Sequence, residues 1–144
     1  MQQVLIILVM FFSTLMFGQN SMTTDASEGV AIDVSVVNVL SDEGKVHFAL
    51  FTKENFMTGN PVAAKSSTVK EGISAVKFDS IAPGEYAIIC FHDKNENNRM
   101  DFQENGMPLE SYGTSNNVYL MGPPEFESAK FEVKKETLKL EIKF

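Results

Sequence analysis

The sequence has no tryptophan, one cysteine among 144 residues, and only 12 lysines and arginines against 19 aspartates and glutamates. A single cysteine can form neither an internal disulfide nor a cysteine-based zinc site. The net charge of −7 argues against nucleic acid as a partner, because phosphate binding needs a basic surface. It argues equally against docking on anionic lipid. Charge is also missing locally: Met1 to Gly18 carries no charged side chain, and 13 of those 18 residues are apolar. What is present elsewhere is a balanced chain, 44% hydrophobic and 22% charged overall. That composition belongs to a folded protein, and the length suits one domain.

The uncharged N-terminus contains an apolar run, Val4 to Phe17, broken only by Ser13 and Thr14. Its length falls short of the roughly 20 residues that a membrane-spanning helix needs. Small and polar residues follow at Gly18, Gln19, Asn20 and Ser21. This is the layout of a secretory signal peptide over residues 1–18, with the α-amino group as its only positive charge. The reading places a flexible leader at 19–29 and a single domain at 30–144. It makes the protein secreted or periplasmic, with no membrane insertion after signal cleavage. Export leads to an oxidising compartment. Cys90 lies in the apolar segment Tyr86 to Phe91, where a buried and inert thiol is expected.

Beyond the leader, alternation of apolar and polar residues dominates. Val30, Ile32, Val34 and Val36 set one face of a strand, and Val46, Phe48 and Leu50 that of another. The turn signal Ser41-Asp42-Glu43-Gly44 between them suggests a hairpin of Val30–Leu40 with Lys45–Thr52. Further strands are expected at 63–69 (weak and at an edge), 73–78, 85–92, 118–121, 126–134 and 137–144. The segment 85–92 is apolar on both faces and reads as central. The segment 53–61 reads as a loop with one helical turn. Seven to eight short strands without a long helix indicate an all-β protein, an antiparallel β-sandwich of immunoglobulin-like or prealbumin-like type. One long loop, 93–117, interrupts it.

That loop carries the chemistry. Counting Asp93 as the first position, oxygen-bearing side chains fall at one, three, five, nine and twelve: Asp93, Asn95, Asn97, Asp101 and Glu104. This is the spacing of a twelve-residue calcium loop. Ca²⁺ takes six to eight oxygens at about 2.3–2.6 Å, and alternate residues of a curled loop can point inward together. Arg99, at position seven, would give its backbone carbonyl. Position six, which needs positive φ, holds Asn98, the non-glycine type most tolerant of that conformation. Met100 could anchor the loop on the core. One Ca²⁺ ion is therefore expected, bound by Asp93, Asn95, Asn97, Arg99, Asp101 and Glu104. Asp93→Ala is expected to act through the ion and to change little in chelator.

Other polar residues give weaker signals, and no catalytic residue is assigned. His92 reads as a structural histidine steadying the loop. Tyr112, Ser115, Asn116 and Asn117 could brace the loop or hydrogen-bond a glycan. A hydrolase using Glu104 or Glu110 with His92 lacks a nucleophile motif. The expectation is a non-enzymatic module at the cell envelope, its partner an unknown envelope protein or glycan. The alternative is a carbohydrate-binding module using the calcium loop and residues 112–117.

These same residues carry a family resemblance. His92-Asp93, Asn95, Asn97-Asn98 and Asp101, then Gly106, Pro108 and Glu110, then Gly113 and Ser115-Asn116-Asn117, resemble the signature of the secreted bacterial family called domain of unknown function 2141. Asn98 stands where that family usually has glycine, and Ser111 and Thr114 also depart from its commonest form. The resemblance runs over about Val30 to Phe144 and implies fold and export, with no established activity. The approach Pro83-Gly84-Glu85-Tyr86 is also similar to transthyretin-like and carboxypeptidase regulatory-like sandwiches.

Overall fold

The computed structural model describes residues 29–119 and 122–144; the expected signal peptide and nearly all of the expected leader lie outside them. Eight strands form two sheets. They are β1 (Val30–Val36), β2 (Lys45–Phe51), β3 (Ala63–Thr68), β4 (Ser74–Ile81), β5 (Gly84–Asp93), β6 (Tyr112–Thr114), β7 (Phe131–Val133) and β8 (Leu138–Ile142). One sheet runs β4-β1-β8 and the other β3-β2-β5-β6, with β7 added to the start of β5. Every pairing is antiparallel except β1 with β8. The described residues thus form an all-β sandwich with eight strands.

The sheets face each other through their alternating apolar residues. Ile32, Val34, Val36, Phe48, Leu50, Phe78, Ile88 and Ile142 are almost completely buried between them. Each such side chain contributes about 1.5–3 kcal/mol of transfer free energy. β5 serves two cores. Tyr86, Ile88 and Cys90 face the sandwich interior. On its other side Ala87 packs with Phe51, Phe56, Phe126 and Ala129. Phe56 holds this outer cluster by edge-on contacts, its ring centroid 5.8 Å from that of Phe51 and 5.6 Å from that of Phe126. The chain turns into β5 through Pro83-Gly84, and the Tyr86 hydroxyl donates back to the Ala82 carbonyl at 3.1 Å. This is a tyrosine corner of the kind that fixes crossovers in Greek-key sandwiches.

Four expectations are corrected. β1 and β2 are not a hairpin: β1 pairs with β4 and β8, β2 with β3 and β5. The connection crosses between sheets, and its Val39 amide bonds the Gly72 carbonyl at 3.0 Å. The 126–134 segment is a helical turn, α1 (Phe126–Ala129), followed by the short β7. The long loop ends at Ser111, because β6 pairs with β5 at once, Tyr112 opposite Phe91. Val118 and Tyr119 are not strand, and the rest of the 118–121 expectation lies outside the described residues.

Candidate metal centre

β5 delivers His92 and Asp93 to one end of the sandwich, opposite Val46 and Lys45 of β2. His92 is buried and turns away from the loop, its Nε2 donating to the Glu43 carbonyl at 2.7 Å. The turn that offers this carbonyl is itself pressed against the start of the loop. Gly44 has φ +70, and a Cβ there would lie 2.2 Å from the Asp93 carbonyl oxygen. Only glycine meets both conditions. A 2.9 Å ion pair between Lys94 and Glu43 closes the same contact at the surface.

Asp93 is fully buried. Its Oδ1 accepts the Asn97 amide at 3.0 Å; its Oδ2 accepts the Asn98 amide at 2.8 Å and His47 Nε2 at 2.9 Å. His47 is in turn stacked on Phe91, ring centroids 4.9 Å apart. Burial pushes the Asp93 pKa up, but the His47 bond and the two backbone amides outweigh it and hold the carboxyl below its ordinary value. The turn that brings the amides round has Glu96 at φ +57 and Asn98 at φ +62. Position six of the loop thus adopts the left-handed backbone its spacing requires.

Three further expected ligands meet at one point. Asp101 Oδ2 accepts from Asn95 Nδ2 at 2.8 Å and from Asn97 Nδ2 at 2.7 Å. The amide oxygens face the other way, Asn95 Oδ1 to the Asn97 amide at 3.2 Å and Asn97 Oδ1 to the Arg99 amide at 3.0 Å. Rotating either amide would bring its oxygen to the Asp101 carboxylate. That arrangement is repulsive alone and becomes a ligand set around a hard cation. The Arg99 side chain is exposed, its Nε 3.7 Å from Asp101 Oδ1. Met100 is half-buried.

The twelfth position behaves differently. After Asp101 the chain runs out and back as a small hairpin. Leu109 N bonds Asp101 O at 2.9 Å, Gln103 N bonds Met107 O at 2.8 Å, and Phe102 bridges to Pro108. Glu104 sits in its exposed tip turn and shares no hydrogen bond or ion pair with the loop. The carboxylate that returns to the base is Glu110, accepting the Lys94 amide at 3.3 Å and the Asp101 amide at 3.2 Å. Lys94, Asn95, Asp101, Leu109 and Glu110 line an open recess there. Among the described residues, no three His, Cys, Asp or Glu side chains cluster closely enough to hold a metal ion by themselves. Any cation site in this loop therefore depends on amide and backbone oxygens beside the carboxylates.

Residues 113–117 tie the sandwich together. Gly113 lies against the end of β8, where a Cβ would come 2.6 Å from the Lys143 carbonyl oxygen. Ser115 is buried. Its hydroxyl accepts the Ile88 amide at 3.0 Å and donates to the Ala129 carbonyl. It thereby fills the gap along β5 between β7, which ends at Tyr86, and β6, which starts at Ile89. Asn116 donates to the Ser128 and Lys130 carbonyls at 3.2 and 2.8 Å. Asn117 donates to Glu141 O at 2.9 Å and accepts from Lys143 N at 2.7 Å, pairing with β8 as a neighbouring strand would. These side chains are engaged with main chain. No hydrogen bond or ion pair among the described residues joins His92 to Glu104 or Glu110.

Fold and loop together define an all-β sandwich domain with a polar loop of calcium-loop spacing docked at one end of its central strand. The chain belongs to the family described as uncharacterised proteins conserved in bacteria, DUF2141, which matches residues 34–141. No curated protein and no solved structure matches it.

Proposed function

We propose that the protein is an exported, non-enzymatic β-sandwich module of the cell envelope whose 93–111 loop is ordered by one Ca²⁺. The observation that carries this reading is the meeting of Asn95, Asn97 and Asp101 at one carboxylate oxygen, above a turn already held by Asp93. Asn95, Asn97, Asp101 and the Arg99 carbonyl would hold the ion, with Asp93 at the base. Glu110 is the better placed closing carboxylate, since Glu104 stands away at the hairpin tip. Ca²⁺ suits this set better than Mg²⁺, which keeps several waters and demands a rigid octahedron. The role of the ion is structural. Extracellular calcium modules bind at roughly 10⁻⁴–10⁻³ M. Free ion at one to ten times the dissociation constant stabilises by about 0.4–1.4 kcal/mol, enough to order a loop and too little to make a fold.

Export rests on the apolar N-terminal run and its polar boundary. The partner on this reading is an envelope protein or a glycan. The test is thermal melting in millimolar Ca²⁺, in Mg²⁺ and in chelator. A rise in melting temperature specific to Ca²⁺, absent in Asp101→Ala, supports the reading. Identical melting in all three solutions rejects it.

A further inference from the structure

The tip of the 101–109 hairpin contains the sequence Asn105-Gly106, and we infer that it is a site of spontaneous modification, in which water converts Asn105 to aspartate and isoaspartate. Asn105 is the one asparagine among the described residues that precedes a glycine. No Cβ on the following residue therefore hinders attack of its backbone nitrogen on the side-chain amide. The turn also prepares that amide. Asn105 Oδ1 accepts the Met107 amide at 3.1 Å, which draws electron density from Cγ. A single 2.9 Å bond from Gly106 N to the Gln103 carbonyl must open first. Residues 102–107 are all exposed, so this opening is local and inexpensive.

The Gly106 nitrogen loses its proton and bonds to Asn105 Cγ. The bond from Cγ to the side-chain nitrogen breaks, ammonia leaves, and a cyclic imide remains. Water adds to Cγ and breaks its bond to the Gly106 nitrogen, which takes up a proton, to give aspartate; or it adds to the main-chain carbonyl carbon of residue 105 and breaks that carbon–nitrogen bond to give isoaspartate, whose main chain runs through the former side chain.

Most of the other described asparagines are restrained by their settings. Asn60 precedes Pro61, which has no N–H to attack. Asn38, Asn116 and Asn117 have their amide nitrogens bound to main-chain carbonyls. Asn95 and Asn97 are held on Asp101. The reaction adds a negative charge to the hairpin that returns Glu110 to the loop, and the isoaspartate lengthens a turn that Gln103 and Met107 close. Neither the chemistry nor its test depends on Ca²⁺.

The test is to age the folded protein at mildly alkaline pH and physiological temperature, then digest it and locate both acids by fragmentation that separates them. Aspartate and isoaspartate should accumulate together at residue 105. They should lead every other asparagine by roughly tenfold, the factor that about 1.4 kcal/mol of extra barrier produces. Gly106→Ala should suppress the reaction. The presence of isoaspartate in wild-type protein reports the cyclic imide without any variant. Modification spread evenly over the asparagines, aspartate without isoaspartate, or an unchanged residue 105 would each overturn the inference.

Discussion

Asp93 and His47, far apart in sequence, meet through a 2.9 Å hydrogen bond from Nε2 to Oδ2, and the carboxylate that receives it is fully buried. Two backbone amides also bind it. Asp93 therefore braces the loop without an ion, so Asp93→Ala is expected to cost stability in chelator as well as in calcium. Removing it takes a partner from the Asn98 amide and from His47, both in part-buried bonds, at about 1–3 kcal/mol. Urea unfolding in chelator should show this loss, and an unchanged midpoint would contradict it.

The pH dependence follows from the same bonds. Folding depresses the Asp93 pKa below its ordinary 3.8. Its contribution is therefore full at pH values above that ordinary value and is lost as pH falls through the folded-state pKa. The carboxylate's share of the stability difference between wild type and Asp93→Asn should be fully present above 3.8. It should shrink in acid below 3.8, as followed by urea midpoints across the acid range.

Asn98, at φ +62, supplies the turn that brings its amide to Asp93. Asn98→Gly should keep stability, and Asn98→Val should lose roughly 1–2 kcal/mol, the cost of left-handed backbone that a β-branched residue pays and asparagine largely avoids. Calorimetric melting of the pair decides it, and equal melting would remove the turn from the account.

Ser115 acts as a piece of strand. Ser115→Ala strands the Ile88 amide in the gap between β6 and β7, so about 1–3 kcal/mol should be lost. Hydrogen exchange at Ile88 should accelerate more than at Ile89, whose residue lies within the β5–β6 pairing.

Cys90 is buried against the Gly113 carbonyl, and desolvation raises its thiol pKa well above the ordinary value. The thiolate is the reactive form. Native protein should resist alkylation and react only on unfolding; prompt labelling of folded protein would be inconsistent with this packing.

Much of this was legible in the residues. The two apolar faces of 85–92 named the central strand. The alternation at 137–144 named β8, and the 93–101 spacing named side chains that do converge. What alternation reports is which face a residue occupies, not which strand it pairs with. That is why Val30–Leu40 and Lys45–Thr52 read as a hairpin although β1 and β2 lie in different sheets. Counting to position twelve pointed to Glu104, because a count assumes one continuous curl. The turn residues Asn105-Gly106 were the signal that the chain folds back and returns Glu110 instead. His47 was unreadable as a partner of Asp93, since their meeting depends on strand register.

Calorimetric titration of the wild-type protein with Ca²⁺ decides whether the 93–111 loop takes up the ion. Saturable one-site heat is expected, with a dissociation constant at or below about 10⁻³ M, not reproduced by Mg²⁺ and lost in Asp101→Ala. A flat titration through that concentration, from protein whose melting shows it folded, would contradict it.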